Sequence, residues 1–246
     1  MNQDFVGRIA LVTGASRGIG YATALALARG GAHVVAVART VGGLEELDDA
    51  VRSAGGAATL VPLDLRDYEG LYRLAAALNE RYARLDVLVG NAAVAGLLSP
   101  LVHVEPKAWD ETMAVNVTAN WHLIRAMDPL LKRSDAGRVV FIGSRAAVLA
   151  RAYWAPYSVS KAALDVLART YAAETNSTTV RVNLFNPGPT RTRMRAQIMP
   201  GEDPMTLPTP EAMAEKILDL CRPRFSETGR LYDFGSGKLL EFTPLY

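Results

Sequence analysis

The stretch Ile9-Ala-Leu-Val-Thr13-Gly14-Ala15-Ser16-Arg17-Gly18-Ile19-Gly20 decides the fold of this chain. It opens on apolar and β-branched residues without alternation, the pattern of a strand buried on both faces. Glycines at 14, 18 and 20 then punctuate a turn, and residues 21–29 have the Ala/Leu composition of a helix. A strand feeding a glycine-rich turn into a helix N-terminus is an anion site, because free amides point at the ligand and the helix dipole favours negative charge. Glycine also permits positive φ and lets backbone approach a ligand with no Cβ between them. A plain tight turn would use the same residues. The place of this one, after the first strand of an α/β chain, points to the pyrophosphate of a dinucleotide.

The pattern recurs down the chain. Ala32-His-Val-Val-Ala-Val-Ala38, Thr59-Leu-Val-Pro62, Leu85-Asp-Val-Leu-Val89, Arg138-Val-Val-Phe-Ile-Gly143 and Val180-Arg-Val-Asn-Leu184 read as strands, and residues 230–234 as a seventh. Helical stretches fall at 41–54, 69–82, 158–174 and 211–221, and Pro106 opens a longer one that carries Pro129. Within 41–54, Leu44, Leu47, Ala50 and Val51 share one helix face. Short apolar strands each followed by a helix predict an α/β fold, a doubly wound Rossmann-type parallel sheet of about seven strands flanked by helices on both faces. No repeat and no linker divides residues 1–246, which read as one domain. The proline-rich span 187–210 reads as a loop, with a substrate lid at about 189–210.

Composition excludes several function classes. Half of the 246 residues are hydrophobic and the net charge is only +2, which argues against a nucleic-acid or anionic-membrane partner. The single cysteine, Cys221, excludes a disulfide framework and a Cys/His zinc site. His33, His103 and His122 show no ligand spacing, so no metal is expected. The opening Met-Asn-Gln-Asp-Phe is not a basic and apolar leader, and no apolar run approaches the ~18 residues of a membrane span. A soluble, cytoplasmic protein with a small-molecule substrate is the expectation.

Two further groups speak to chemistry. The second strand ends Val37-Ala38-Arg39-Thr40, where nicotinamide-binding folds place an acid for the adenosine ribose or an arginine for the 2′-phosphate of NADP. Arg39 stands there, and Arg17 in the glycine turn offers a second cation. Most of the 22 arginines must be solvated surface charge, but the position of these two favours NADP(H) over NAD(H). Tyr157 and Lys161 lie four residues apart, hence on one helix face. A nearby cation favours the phenolate, which suits a general acid for carbonyl reduction. The spacing alone arises easily by chance; Ser144 at the close of the fifth strand, where open sheets bind ligands, gives it context.

Taken together these motifs resemble the short-chain dehydrogenase/reductase family in its single-domain form, over essentially the whole chain. Thr13-Gly14-xxx-Gly18-x-Gly20, Asp64 after the third strand, Asn116 within Val115-Asn116-Val117, Ser144, Tyr157, Lys161, the Pro187-Gly188 turn and Thr192 match the family in order. The resemblance implies that Ser144 hydrogen-bonds the substrate oxygen, Tyr157 gives or takes the proton, Lys161 lowers the Tyr157 pKa and holds the nicotinamide ribose, and Asn116 holds a relay water. It implies cofactor contacts at Gly14, Ser16, Arg17, Gly18, Ile19, Gly20, Arg39, Asp64, Leu65, Asn91, Ala92, Tyr157, Lys161, Pro187, Gly188, Thr190 and Thr192. It also implies a homotetramer, less often a homodimer, built on the long helices beside the fifth strand. One departure stands out: Gly90-Asn91-Ala92-Ala93 replaces the usual Asn-Asn-Ala-Gly, which implies looser contacts on the adenosine side.

The substrate side draws on residues 94–102, 145–154 and 189–208. Leu97, Leu98, Leu149, Tyr153, Trp154, Met194, Ile198 and Met199 give it an apolar cast, although packing accounts for most such residues. Arg145, Arg151, Arg191, Arg193 and Arg195 are candidates to read an acidic group or are solvated surface. The reading is an NADP(H)-dependent oxidoreductase that interconverts a ketone and a secondary alcohol. Its rivals are an NAD-linked alcohol dehydrogenase working oxidatively and a dinucleotide-binding regulator without catalysis. The latter is expected to lack one of Ser144, Tyr157 and Lys161.

Overall fold

The computed structural model of the protein describes residues 4–242. Eight strands form one sheet: β1 (Ile9–Thr13), β2 (His33–Ala38), β3 (Ala57–Pro62), β4 (Val87–Gly90), β5 (Arg138–Ile142), β6 (Arg181–Asn186), β7 (Leu231–Asp233) and β8 (Lys238–Leu240). Their spatial order is β3-β2-β1-β4-β5-β6-β7-β8. Every neighbouring pair is parallel except β7 with β8. The order reverses between β1 and β4, and a doubly wound sheet opens a crevice for ligand there, at the carboxyl ends of its strands.

Helices cover both faces. On one side lie α1 (Gly18–Arg29), α2 (Val41–Ser53) and a late helix at Pro210–Cys221; on the other lie α3 (Tyr68–Tyr82), then Pro106–Met113 (α4) running through a π-turn at Ala114–Thr118 into α5 (Ala119–Leu131). The short α6 (Ala146–Leu149) precedes the long α7 (Ala155–Glu174), which packs on that same second side; α8 (Arg193–Ile198) lies beyond β6, and the helix at Pro210–Cys221 is α9. Along β1, Ala10 and Val12 face the first layer while Ile9 and Leu11 face the second, so a strand of unbroken apolar residues feeds two cores.

The amino edge of the sheet is held by Asp86, a fully buried carboxylate. It accepts from Ile9 N (2.8 Å), Ser134 Oγ (2.6 Å), Arg8 Nη1 (3.1 Å) and Arg84 Nε (3.2 Å). Four donors, two of them cationic, satisfy a charge that would otherwise be costly to bury.

Several elements differ from the sequence reading. β3 starts at Ala57 and the helix carrying Tyr157 at Ala155, with Pro156 in its first turn. Three elements were not foreseen. β8 is three exposed residues that return from a Gly-Ser-Gly turn, too short to show a period. α6 lies inside the stretch read as a pocket loop. α8 stands within the proline-rich segment, where Thr192 caps it by accepting from Arg195 N.

Gly90 requires a correction. It does not line the adenosine side: a Cβ there would lie 2.6 Å from Phe141 Cε1 and 2.8 Å from Asn120 Oδ1. Phe141 and Asn120 fill the space that the family's usual asparagine would take. We expect Gly90→Ala to cost about 1–3 kcal/mol through overpacking, which a thermal melt reads as a fall of several degrees for a chain this size. An unchanged midpoint would mean that Phe141 yields freely.

Candidate active site

At the crevice, the turn after β1 meets the end of β4 almost backbone to backbone. Thr13 Oγ1 donates to Val89 O and accepts from Asn91 N (3.0 Å) and Ala92 N (3.1 Å), while Asn91 Nδ2 donates to Thr13 O (2.9 Å). A Cβ on Gly14, whose φ is +66°, would lie 2.8 Å from Asn91 Nδ2 and 2.9 Å from Ala92 Cα. One on Gly20 would fall against Gly14 O and the same amide. Gly18, at φ +58°, opens the first turn of α1 beside Thr192. Only glycine fits the first two positions, and the third needs a left-handed backbone.

This cradle is one end of a cavity of about 1020 Å³. Its walls include Gly14, Ser16, Arg17, Gly18, Ile19, Arg39, Asp64, Leu65, Asn91, Ala92, Ser144, Tyr157, Lys161, Pro187, Gly188, Thr190 and Thr192. Two of the expected residues stand apart from it. Gly20 is buried in the packing of α1 on the turn. Asn116, in the π-turn, is fully buried: its Nδ2 donates to Val94 O (2.8 Å) and Ser160 Oγ (2.9 Å), and its Oδ1 accepts from Val94 N (2.8 Å). The side chain therefore ties the segment after β4 to α7. Its carbonyl accepts from Asn120 Nδ2 (2.9 Å).

At the adenosine end, Arg66 grips Asp64 from two nitrogens and holds its carboxyl at about 2, against the opposing cost of burial. Arg39 Nη1 stands 3.9 Å from Asp64 and is half exposed, and Arg17 is exposed. Both cations face the cavity.

At the other end, Tyr157 and Lys161 lie on successive turns of α7, and the Lys161 Nζ is 5.7 Å from the phenol ring centre. Nζ donates to Ile142 O (2.6 Å). The phenol is pushed above its usual value, since burial disfavours the phenolate and the Ser144 hydroxyl offsets only part of that. This differs from the sequence expectation of a lowered pKa: burial of the phenol outweighs the Ser144 hydrogen bond, and one of the three ammonium donors of Lys161 goes to a carbonyl while Nζ lies over the ring. Lys161, 2% exposed, is itself lowered to about 8 by burial, with Asp165 working the other way. Asp165, one turn further along α7, is raised to about 7 by burial, against the pull of Lys161 and Arg169. Its Oδ1 is buried without a hydrogen-bond partner.

The family model for short chain dehydrogenase matches residues 8–203. The chain belongs to the short-chain dehydrogenase family. Among its relatives, the uncharacterized oxidoreductase YciK of Escherichia coli K12 is 38% identical over 212 residues, which is 85% of this chain and 84% of that one. A rhamnolipid-biosynthesis 3-oxoacyl-[acyl-carrier-protein] reductase of Pseudomonas aeruginosa is 40% identical over 83% of this chain and 80% of its own. A short-chain dehydrogenase structure from Shigella flexneri 2a, complexed with NADP, superposes with a TM-score of 0.91 at 36% identity, covering 95% of this chain and 99% of its own. One from Escherichia coli CFT073, complexed with NADPH, gives 0.89 at 37% identity, covering 95% and 99%.

In this short-chain dehydrogenase, Leu97, Leu98, Leu149, Trp154, Met194 and Ile198 of the expected apolar residues line the cavity; Tyr153 and Met199 do not. Of the loop arginines, Arg195 is taken by Glu202 (2.7 Å) and Arg191 donates weakly to Leu207 O. Arg145, Arg151 and Arg193 line the cavity, as does the paired Arg195. Among the described residues no cluster could hold a metal, and no helix is long and apolar enough to cross a membrane. Sequence reasoning passed over Asn120, Asp165, Asn186 and Asp233, each a lone polar residue without a motif around it.

Asp165 gives a test of the electrostatics. Its folded-state pKa of about 7 lies above the 3.8 of an ordinary aspartate, so the folded protein holds a proton that the unfolded chain releases. Stability from this group is therefore intact near pH 4 and lost as pH rises to 7. Asp165→Asn should melt like the wild type near pH 4 and higher than it at pH 7–8. Equal melting temperatures across the range would show that the carboxylate is well solvated or paired.

Proposed function

We propose that this protein is an NADP(H)-dependent oxidoreductase that interconverts a ketone and a secondary alcohol, with Tyr157 as general acid and base. One observation carries the reading: Ser144, Tyr157 and Lys161, from the end of β5 and two turns of α7, line the same cavity as the glycine cradle after β1. The cradle fits a dinucleotide pyrophosphate, since Gly14 and Gly20 leave no room for side chains and Gly188, at φ +65°, has nothing within 4 Å of its open face. When bound, the nicotinamide supplies or accepts the hydride.

The chain's own groups do the rest. Ser144 donates to the substrate oxygen, and Tyr157 delivers a proton to the developing alkoxide or takes it back. Lys161 is the cation available to favour the phenolate and to hold the cofactor ribose. Thr190, Thr192 and the Pro187-Gly188 turn support the nicotinamide, and residues 189–210 close over it as a lid. The leucines, Trp154, Met194 and Ile198 favour a bulky apolar ketone. Arg151 and Arg193 have no acidic partner within ion-pair distance among the described residues, which favours a substrate that also carries an anionic group. The rest of the reading is a single-domain cytoplasmic enzyme that assembles as a homotetramer or homodimer through α5 and α7. Their outward Trp121, Val159 and Val166 are 43%, 43% and 58% exposed.

NADPH consumption against a panel of ketones, 3-oxoacyl thioesters, quinones and sugars tests the reaction class; turnover of none of them would refute it. On the best of these substrates Tyr157→Phe should lower the rate ~10²–10⁴-fold while leaving NADPH affinity nearly intact. A variant that keeps a tenth of the activity removes Tyr157 from this role.

Cofactor choice is tested separately. A single charge-assisted contact to the 2′-phosphate implies roughly a tenfold preference for NADPH, reduced by exposure at the rim. Arg39→Ala should weaken NADPH without improving NADH. Ala38→Asp should shift kcat/KM toward NADH, and a preference that stays put would leave Arg17 and Arg39 as surface charge.

A further inference from the structure

Asn186 is the last residue of β6, 2% exposed, and its side chain reaches three separate segments. Its Oδ1 accepts from Arg145 N (3.1 Å), in the turn after β5, and from Gly188 N (3.2 Å), in the turn after β6. Its Nδ2 donates to Asp233 Oδ1 (2.6 Å), at the end of β7. Two amide donors on one side and a carboxylate on the other leave the amide a single workable orientation. Asp233 is fixed in turn: its Oδ2 accepts from Ser236 N (3.0 Å), and its carbonyl accepts from Gly237 N (2.9 Å) in the β7–β8 turn. Burial works against its ionisation, but hydrogen bonds from Ser236 and Asn186 and the charge of Arg145 hold its carboxyl below the usual range.

Neither Asn186 nor Asp233 lines the cavity, whereas both tethered turns do: Ser144 and Arg145 belong to one, Pro187 and Gly188 to the other. Ser144 Oγ accepts from Ala146 N (3.1 Å) within the first turn, so moving the Arg145 amide moves the hydroxyl. Alanine or serine at 186 could not bridge both amides to Asp233, and the two turns would be free to drift apart.

We propose that Asn186 and Asp233 form a clasp that sets the Ser144 turn and the Pro187-Gly188 turn in register, making both of them positioning residues for the cavity. The proposal rests on the functional reading above for what the two turns do, but not for the clasp itself. The three-strand edge β6-β7-β8 thereby becomes an anchor for the site rather than a mere extension of the sheet. An active-site constellation tolerates little displacement, and a group that acts through others is read in what those others bind.

Exchanging the two side chains tests the clasp. Asn186→Asp sets two carboxylates against each other and should weaken NADPH by about tenfold or more. It should also speed backbone amide exchange at Arg145 and Gly188. The double variant Asn186→Asp with Asp233→Asn restores every bond, because the carboxylate at 186 accepts from both amides and from the new amide at 233. It should recover both NADPH affinity, read by fluorescence titration, and slow exchange at the two turns.

Thermal melting is recorded alongside. A merely structural role would lower and restore the melting temperature while NADPH affinity and exchange at 145 and 188 stayed unmoved; that result overturns the proposal. So does a double variant no better than Asn186→Asp in either readout. If the wild type fails to bind NADPH, the cofactor reading falls, and amide exchange still decides the clasp.

Discussion

Everything at the carboxyl edge depends on how closely the turn after β1 approaches the end of β4. Thr13 spends its hydroxyl on three backbone groups of the neighbouring strand end, and Asn91 returns the bond to the Thr13 carbonyl. These bonds draw two main chains to a separation that no Cβ at 14 or 20 could tolerate. The Ala15 amide is spent on Val37 O, while Ser16, Arg17 and Gly18 line the crevice where α1 begins with the positive end of its dipole. Strand order, turn composition and the position of the anion site are one constraint seen at three scales.

Much of this was legible in the sequence because the signals were local. Ile9–Thr13 and the glycines at 14, 18 and 20 state strand, turn and helix within a dozen residues, and the unbroken apolar runs imply a sheet buried on both faces. Tyr157 and Lys161 share a helix face by spacing alone. What stayed hidden was set by distant partners. Gly90 reads as a missing asparagine until Phe141 and Asn120 are seen in its place. Nor does the sequence show that the Asn116 side chain bridges Val94 and Ser160. β8 and α8 were missed because six residues or fewer, with no buried face, show no period.

The charged groups on α7 also needed three dimensions. Helical spacing predicts that Lys161 and Tyr157 meet, and they do, but it says nothing of depth. Burial opposes every charge on this helix face, raising the Tyr157 phenol and Asp165 and lowering Lys161. Burial thus moves all three toward their neutral forms, yet Lys161, at about 8, remains mostly an ammonium at pH 7.

The two edges of the sheet carry different burdens. Asp86 and its four donors hold the amino edge with contacts that never approach the cavity, while the segments at 94–102, 145–154 and 189–208 project from the opposite edge. Changes in the projecting segments therefore leave the Asp86 network untouched. In this chain the cost of altering a cavity wall is thereby separated from the cost of holding the far edge of the sheet together.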